Sequence, residues 1–105
     1  MPKTEPKMTA APKPLHTVAG ETFVWRSPDP EIGEVRVPLK FKTKILRKAR
    51  ELQDDDLEFM FFVLDSVLGD AATVVDEMDA GEMRAMFRAW QAAWEKRAEA
   101  AFPES

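Results

Sequence analysis

The sequence contains no cysteine and a single histidine, His16. Without cysteine the chain can form no disulfide, no thiolate zinc site and no thiol nucleophile. No phosphate loop, nucleophile elbow or metal-ligand spacing appears. His16 has no serine or acidic partner nearby, and a catalytic base needs an orienting group. We therefore expect a binding protein that is not an enzyme and holds no cofactor or metal.

Long apolar runs are also missing, since none approaches the roughly 20 residues that a membrane helix needs. The 105 residues are 45% hydrophobic and 32% charged, which is typical of one globular domain. Residues 1–19 hold four of the eight prolines and few large apolar side chains, so they are predicted to form a flexible, disordered arm. Residues 20–105 then form a single small domain.

Charge is divided unevenly along the chain. Residues 1–50 hold 11 Lys and Arg against five Asp and Glu, a net charge of +6, whereas residues 51–105 hold four against 14, a net charge of -10. The whole chain carries a net charge of -4. This asymmetry points to self-complementary assembly or to the choice of a partner.

The pattern of apolar residues predicts an α+β fold. Two runs of alternating residues, separated by proline, aspartate and glycine, predict a β-hairpin over residues 21–38. A lone hairpin is marginally stable, so its apolar face should pack on helices. Periodic apolar positions predict a bundle of about four helices after the hairpin, over residues 43–52, 55–68, 71–78 and 80–101.

The apolar stripes of these elements identify a candidate core and a candidate partner surface. Phe59 and Phe62 fall on the side of their helix opposite its main apolar stripe, and either an interface or burial by other elements could cover them. The candidate core residues are Phe23, Trp25, Phe61, Leu64, Phe87 and Trp90. The candidate partner-binding residues are Phe59, Phe62, Val63 and Trp94.

Two charged segments are candidate ligand sites. Asp54, Asp55 and Asp56 lack the alternating spacing of a calcium loop and fit the first turn of a helix, with a partner or ion contact as the alternative. A basic segment, residues 40–50, fits a solvated face paired with the protein's own acids, a protein partner, or, as the least favoured reading, nucleic acid. Its basic residues are Lys40, Lys42, Lys44, Arg47, Lys48 and Arg50.

The order of several segments resembles the tail assembly chaperones of long-tailed bacteriophages, especially those that infect actinobacteria. The resemblance covers residues 23–91. It is carried by Phe23–Asp29, Val35–Leu39, Ile45–Arg50, Asp55–Leu68 and Met83–Gln91.

The resemblance implies a protein encoded beside the tape measure protein. Such chaperones coat the long helical tape measure, keep it soluble and help to recruit tail tube subunits. The implied partners are therefore the tape measure and tail tube proteins, with a homo-oligomer as an open alternative. The implied location is the host cytoplasm and not the mature virion. The competing hypotheses are a nucleic-acid-associated protein that uses residues 40–50 and a structural tail subunit retained in the virion.

Overall fold

The computed structural model describes residues 15–101, in which a three-stranded antiparallel sheet precedes the helices. The α+β class is therefore confirmed. The strands, in their spatial order, are β1 (Leu15–Ala19), β2 (Thr22–Arg26) and β3 (Glu34–Pro38). The helices within the described range are α1 (Thr43–Arg50), α2 (Asp56–Leu68), α3 (Thr73–Asp76) and α4 (Ala80–Ala101).

Strand β1 corrects the predicted boundary of the arm. It pairs with β2, placing His16 opposite Trp25 and Val18 opposite Phe23. Gly20, at φ 64°, supplies the positive φ that a two-residue hairpin loop requires. Composition missed this strand because ladder hydrogen bonds to β2, rather than bulky apolar residues, hold it in place. The rest of the predicted arm, residues 1–14, lies outside the described residues.

The predicted hairpin over residues 21–38 is present as β2 and β3, with β2 as the central strand of the larger sheet. Phe23 lies opposite Val37, and Trp25 lies opposite Val35. All four side chains are buried on one face of the sheet. Because side chains alternate between the two faces of a strand, this face is the one that meets the helices.

Helix ends follow local signals in the sequence. The carboxylate of Asp55 accepts a hydrogen bond from the backbone N–H of Glu58 at 3.1 Å. The carboxylate of Asp79 accepts from the backbone N–H groups of Gly81, at 2.9 Å, and Glu82, at 3.2 Å. These caps satisfy backbone donors that have no partner inside the helix.

The predicted helix over residues 71–78 is not a regular helix. A 3-10 turn occupies Gly69–Ala72, and the single α turn of α3 follows it. Gly69, at φ 60°, ends α2, and the carboxylate of Asp79 caps α4 after this segment. The segment still contributes Val75 and Met78 to the core.

The core forms where α2 and α4 pack on the sheet. Phe61 departs from the prediction, since 40% of its surface is exposed. A helix turns by about 100° per residue, so burial of Met60, Val63 and Leu64 directs Phe61 toward solvent. The predicted core residues that are buried are Phe23, Trp25, Leu64, Phe87 and Trp90.

Long-range hydrogen bonds hold both ends of α4 against the sheet region. Near its first turn, the Nε1–H of Trp25 donates to Oε2 of Glu82 at 2.8 Å. Near its last turns, Nη2 of Arg97 donates to Oε2 of Glu21 at 2.8 Å. The Glu82 carboxylate thus contacts the sheet, although its spacing after Asp79 fits a capping box.

Candidate protein-binding surface

The structure places the predicted partner-binding residues of α2 against the core. Val63 is only 5% exposed, so it cannot contact a partner from the folded monomer. Phe59 and Phe62 are half-buried and pack against the core, which agrees with the alternative that other elements cover them. The physical reason is that α2 is covered from more than one direction, because it contacts α1, β3 and α4.

One side of the Phe59 ring nevertheless faces an open groove. Its ring meets Phe87 edge-to-face, with centroids 5.8 Å apart and planes at 89°. The remaining side forms part of a groove of about 640 Å³ between α1 and α2, which we call the α1 groove. The residues lining the α1 groove are Thr43, Leu46, Arg47, Ala49, Arg50, Gln53 and Phe59.

Trp94 lies close to the same region. Its ring is 5.7 Å from that of Phe41, and Phe41 is also 5.7 Å from Trp90. A small apolar cavity of about 50 Å³ separates α1 from these aromatic rings, and Phe59 and Trp94 both line it. Within α1 only Ala49 is buried. The aromatic side chains beneath α1 are therefore incompletely packed.

The basic segment is exposed throughout, because all six of its Lys and Arg side chains reach solvent. The Nζ of Lys48 lies 3.3 Å from a carboxylate oxygen of Glu51. Among residues 15–101, the other five basic side chains of this segment form no ion pair. Pairing with the protein's own acids, as the sequence favours, thus involves only Lys48 in the described part of the chain. Arg47 and Arg50 instead border the α1 groove.

Two residues of the acidic run and the single histidine contact other residues of the fold. Asp55 caps α2, and the carboxylate of Asp56 accepts a hydrogen bond from Arg84 at 2.9 Å. The ring of His16 stacks on Phe23 and Trp25, with centroids 5.3 Å and 6.4 Å away. Residues 15–101 contain no cluster of three or more potential metal ligands and no helix long and apolar enough to span a membrane.

Sequence reasoning missed a second apolar surface, on the other side of α2. Leu57 is 49% exposed and lies one helical turn from Phe61. Exposed acids, Glu58 and Asp65, flank Phe61 on the same helix. This placement of charge was the available signal that Phe61 faces water. A groove of about 200 Å³, the Phe61 groove, adjoins it and is lined by Phe61, Val75, Asp76, Met78, Ala80 and Met83.

No protein-family model and no curated protein matches the sequence, and no solved structure matches the fold. The resemblance to tail assembly chaperones therefore stays a prediction.

Proposed function

We propose that the protein is a phage tail assembly chaperone whose α1 groove binds a helical segment of the tape measure protein. In this role it keeps the tape measure soluble and helps to recruit tail tube subunits in the host cytoplasm. The observation that supports the proposal best is the placement of exposed Leu46 beside the half-buried ring of Phe59. Together they offer an apolar strip at the surface of a small, highly charged domain.

The groove has the chemistry that an amphipathic helix needs from its binding site. Apolar side chains at successive turns of a client helix would pack on Phe59 and Leu46. Arg47 and Arg50 at the border would pair with acids on the client. If the cavity beneath α1 widened around a client, Trp94, which lines that cavity, would come into contact with the client.

Co-expression with the tape measure protein tests the proposal. The variant Leu46→Ser removes an apolar side chain that is already 39% exposed, so it should stay folded and melt no more than about 4–8 °C below the parent protein. We expect the amount of soluble tape measure to fall to the level seen without the chaperone. Val18→Ser is the matched control, because Val18 is 49% exposed and lies on the sheet, outside the α1 groove. A folded Leu46→Ser protein that solubilises the tape measure at the parent level would refute this site.

Nucleic-acid binding is the second candidate, supported by the five basic side chains that lack an ion pair within residues 15–101. Phosphate contacts release counterions, so binding to duplex DNA should weaken with a log–log salt slope of about -0.9 per phosphate contacted. Under this alternative, Lys42→Glu with Lys44→Glu abolishes DNA binding and Leu46→Ser leaves it unchanged. The absence of DNA binding at low salt would exclude the alternative.

A structural role in the tail and a chaperone role predict different locations for the protein. A chaperone leaves the tail before the virion is complete, whereas a structural subunit remains. Mass spectrometry of purified particles should therefore detect the tail tube protein and not this chain. Recovery of the chain at a fixed ratio to the tube protein would favour the structural role.

A further inference from the structure

Two consecutive segments of the chain carry charges of opposite sign, and each segment contains charges of one sign only. Residues 36–50 contain seven Lys and Arg and no acid, whereas residues 51–83 contain eleven Asp and Glu and no Lys or Arg. In the described structure these two segments are joined by a single ion pair, Lys48 with Glu51, at their shared boundary. Arg36 pairs instead with Glu34, and Asp56 with Arg84, whereas Glu58, Asp65 and Asp76 form no ion pair within residues 15–101.

The acidic segment surrounds an exposed apolar surface. Leu57 and Phe61 lie on the same side of α2, and the Phe61 groove continues this surface toward α3. Glu58 and Asp65 flank Phe61 along the helix, and Asp76 lines the groove. The surface therefore selects a ligand with an apolar group at its centre and positive charges around it.

Helix α1 of the same chain has this combination. Leu46 is exposed at its surface, and the exposed guanidinium groups of Arg47 and Arg50 lie beside it. Guanidinium groups form planar, two-pronged hydrogen bonds with carboxylates and suit an interface better than ammonium groups do. We propose that α1 of one copy docks in the Phe61 groove of a second copy, with Leu46 on Phe61 and the two arginines on the surrounding acids.

The positions of the two surfaces determine the type of assembly. At about 100° per residue, Phe59, which faces α1, and Phe61 lie about 160° apart around α2. The docking helix and the receiving groove are therefore on opposite sides of the molecule. A contact between two different surfaces is heterologous, so it leads to a ring or an open chain of copies.

This contact would compete with a client. Leu46, Arg47 and Arg50 also border the α1 groove, so a copy engaged through α1 cannot use that surface for a second ligand. Self-association does not depend on the proposed function, because it is measured on the protein alone. If the proposed function holds, the tape measure should dissociate the assembly.

Two charge-reversal variants test the proposal by analytical ultracentrifugation at low and at high salt. The first is Arg47→Glu with Arg50→Glu, and the second is Asp65→Lys with Asp76→Lys. All four side chains are exposed, so both variants should melt like the parent protein. We expect the parent to associate as its concentration rises, and each variant to associate at least about tenfold more weakly, a difference of about 1.4 kcal/mol. Mixing the two variants should restore association, limited to a one-to-one dimer, because each pair retains one intact α1 and one intact Phe61 groove.

Matched controls reverse the same number of charges elsewhere. Arg88→Glu with Lys96→Glu, and Glu95→Lys with Glu99→Lys, change exposed residues outside both surfaces and should associate like the parent. A parent protein that stays monomeric at every concentration would overturn the proposal, as would a charge-reversal variant that associates normally. A mixture of the two variants that remains monomeric would also overturn it.

Discussion

The indole Nε1–H of Trp90 donates a hydrogen bond to the carbonyl oxygen of Pro38 at 2.8 Å, across 52 residues of sequence. Trp90 is only 3% exposed, and Pro38 is the last residue of β3. The bond satisfies the one polar atom of the buried side chain and attaches the middle of α4 to the end of the sheet.

Replacement of Trp90 should separate the effect of packing from that of this hydrogen bond. Trp90→Ala leaves a large cavity and should lower the free energy of unfolding by about 3–5 kcal/mol. Trp90→Phe retains an aromatic ring and should lose less, with the missing hydrogen bond accounting for about 0.5–1.5 kcal/mol. Urea denaturation measures both values. An unchanged midpoint for Trp90→Ala would show that the residue is not part of the core.

The bond from Trp25 to Glu82 can be tested with two neutral replacements. Glu82→Gln keeps a side-chain oxygen that can accept the indole N–H, and Glu82→Ala does not. Both remove the same charge from the first turn of α4, so the difference between them isolates the hydrogen bond. We expect Glu82→Ala to be the less stable by about 1–3 kcal/mol, because it leaves a buried donor without a partner. Equal stabilities would mean that water replaces the carboxylate at no cost.

Phe59 and Phe61 form a matched pair on one helix. Phe59→Ser removes a ring that packs on Phe87 and should lower the free energy of unfolding by about 1.5–3 kcal/mol or more. Phe61→Ser changes a ring that is 40% exposed, and it should lower the melting temperature by no more than about 4–8 °C, or about 1 kcal/mol. Thermal melts of the two variants provide the comparison. The reverse order of stability would show that α2 faces the core with its other side.

Truncation tests the contribution of strand β1. One protein begins at Leu15 and the other at Gly20, so they differ only in residues 15–19. The shorter protein loses the hydrogen bonds of β1 to β2 and the stacking of His16 on Phe23 and Trp25. We expect it to melt at a lower temperature than the longer protein. Identical melting temperatures would show that residues 15–19 do not stabilise the fold and belong to the predicted flexible arm.

The local sequence determines where most elements begin, turn and end. Asp55 and Asp79 are caps because a short carboxylate side chain can reach the free N–H groups two or three residues later. Gly69 ends α2 because it adopts a positive φ without a steric penalty. The alternation in residues 22–26 identifies a strand for a similarly local reason. Strand β1 could not be identified in this way, since its stability depends on pairing with β2.

Packing in the tertiary structure decided which side of α2 faces water, and the signal in the sequence was limited to the positions of Glu58 and Asp65. Residues 56–68 are apolar on nearly every side, so their periodicity is compatible with more than one buried face. Packing on α1, β3 and α4 covers Phe59 and leaves Phe61 exposed. The α1 groove and the Phe61 groove both result from that choice, because each is formed by side chains that packing brings together from different elements.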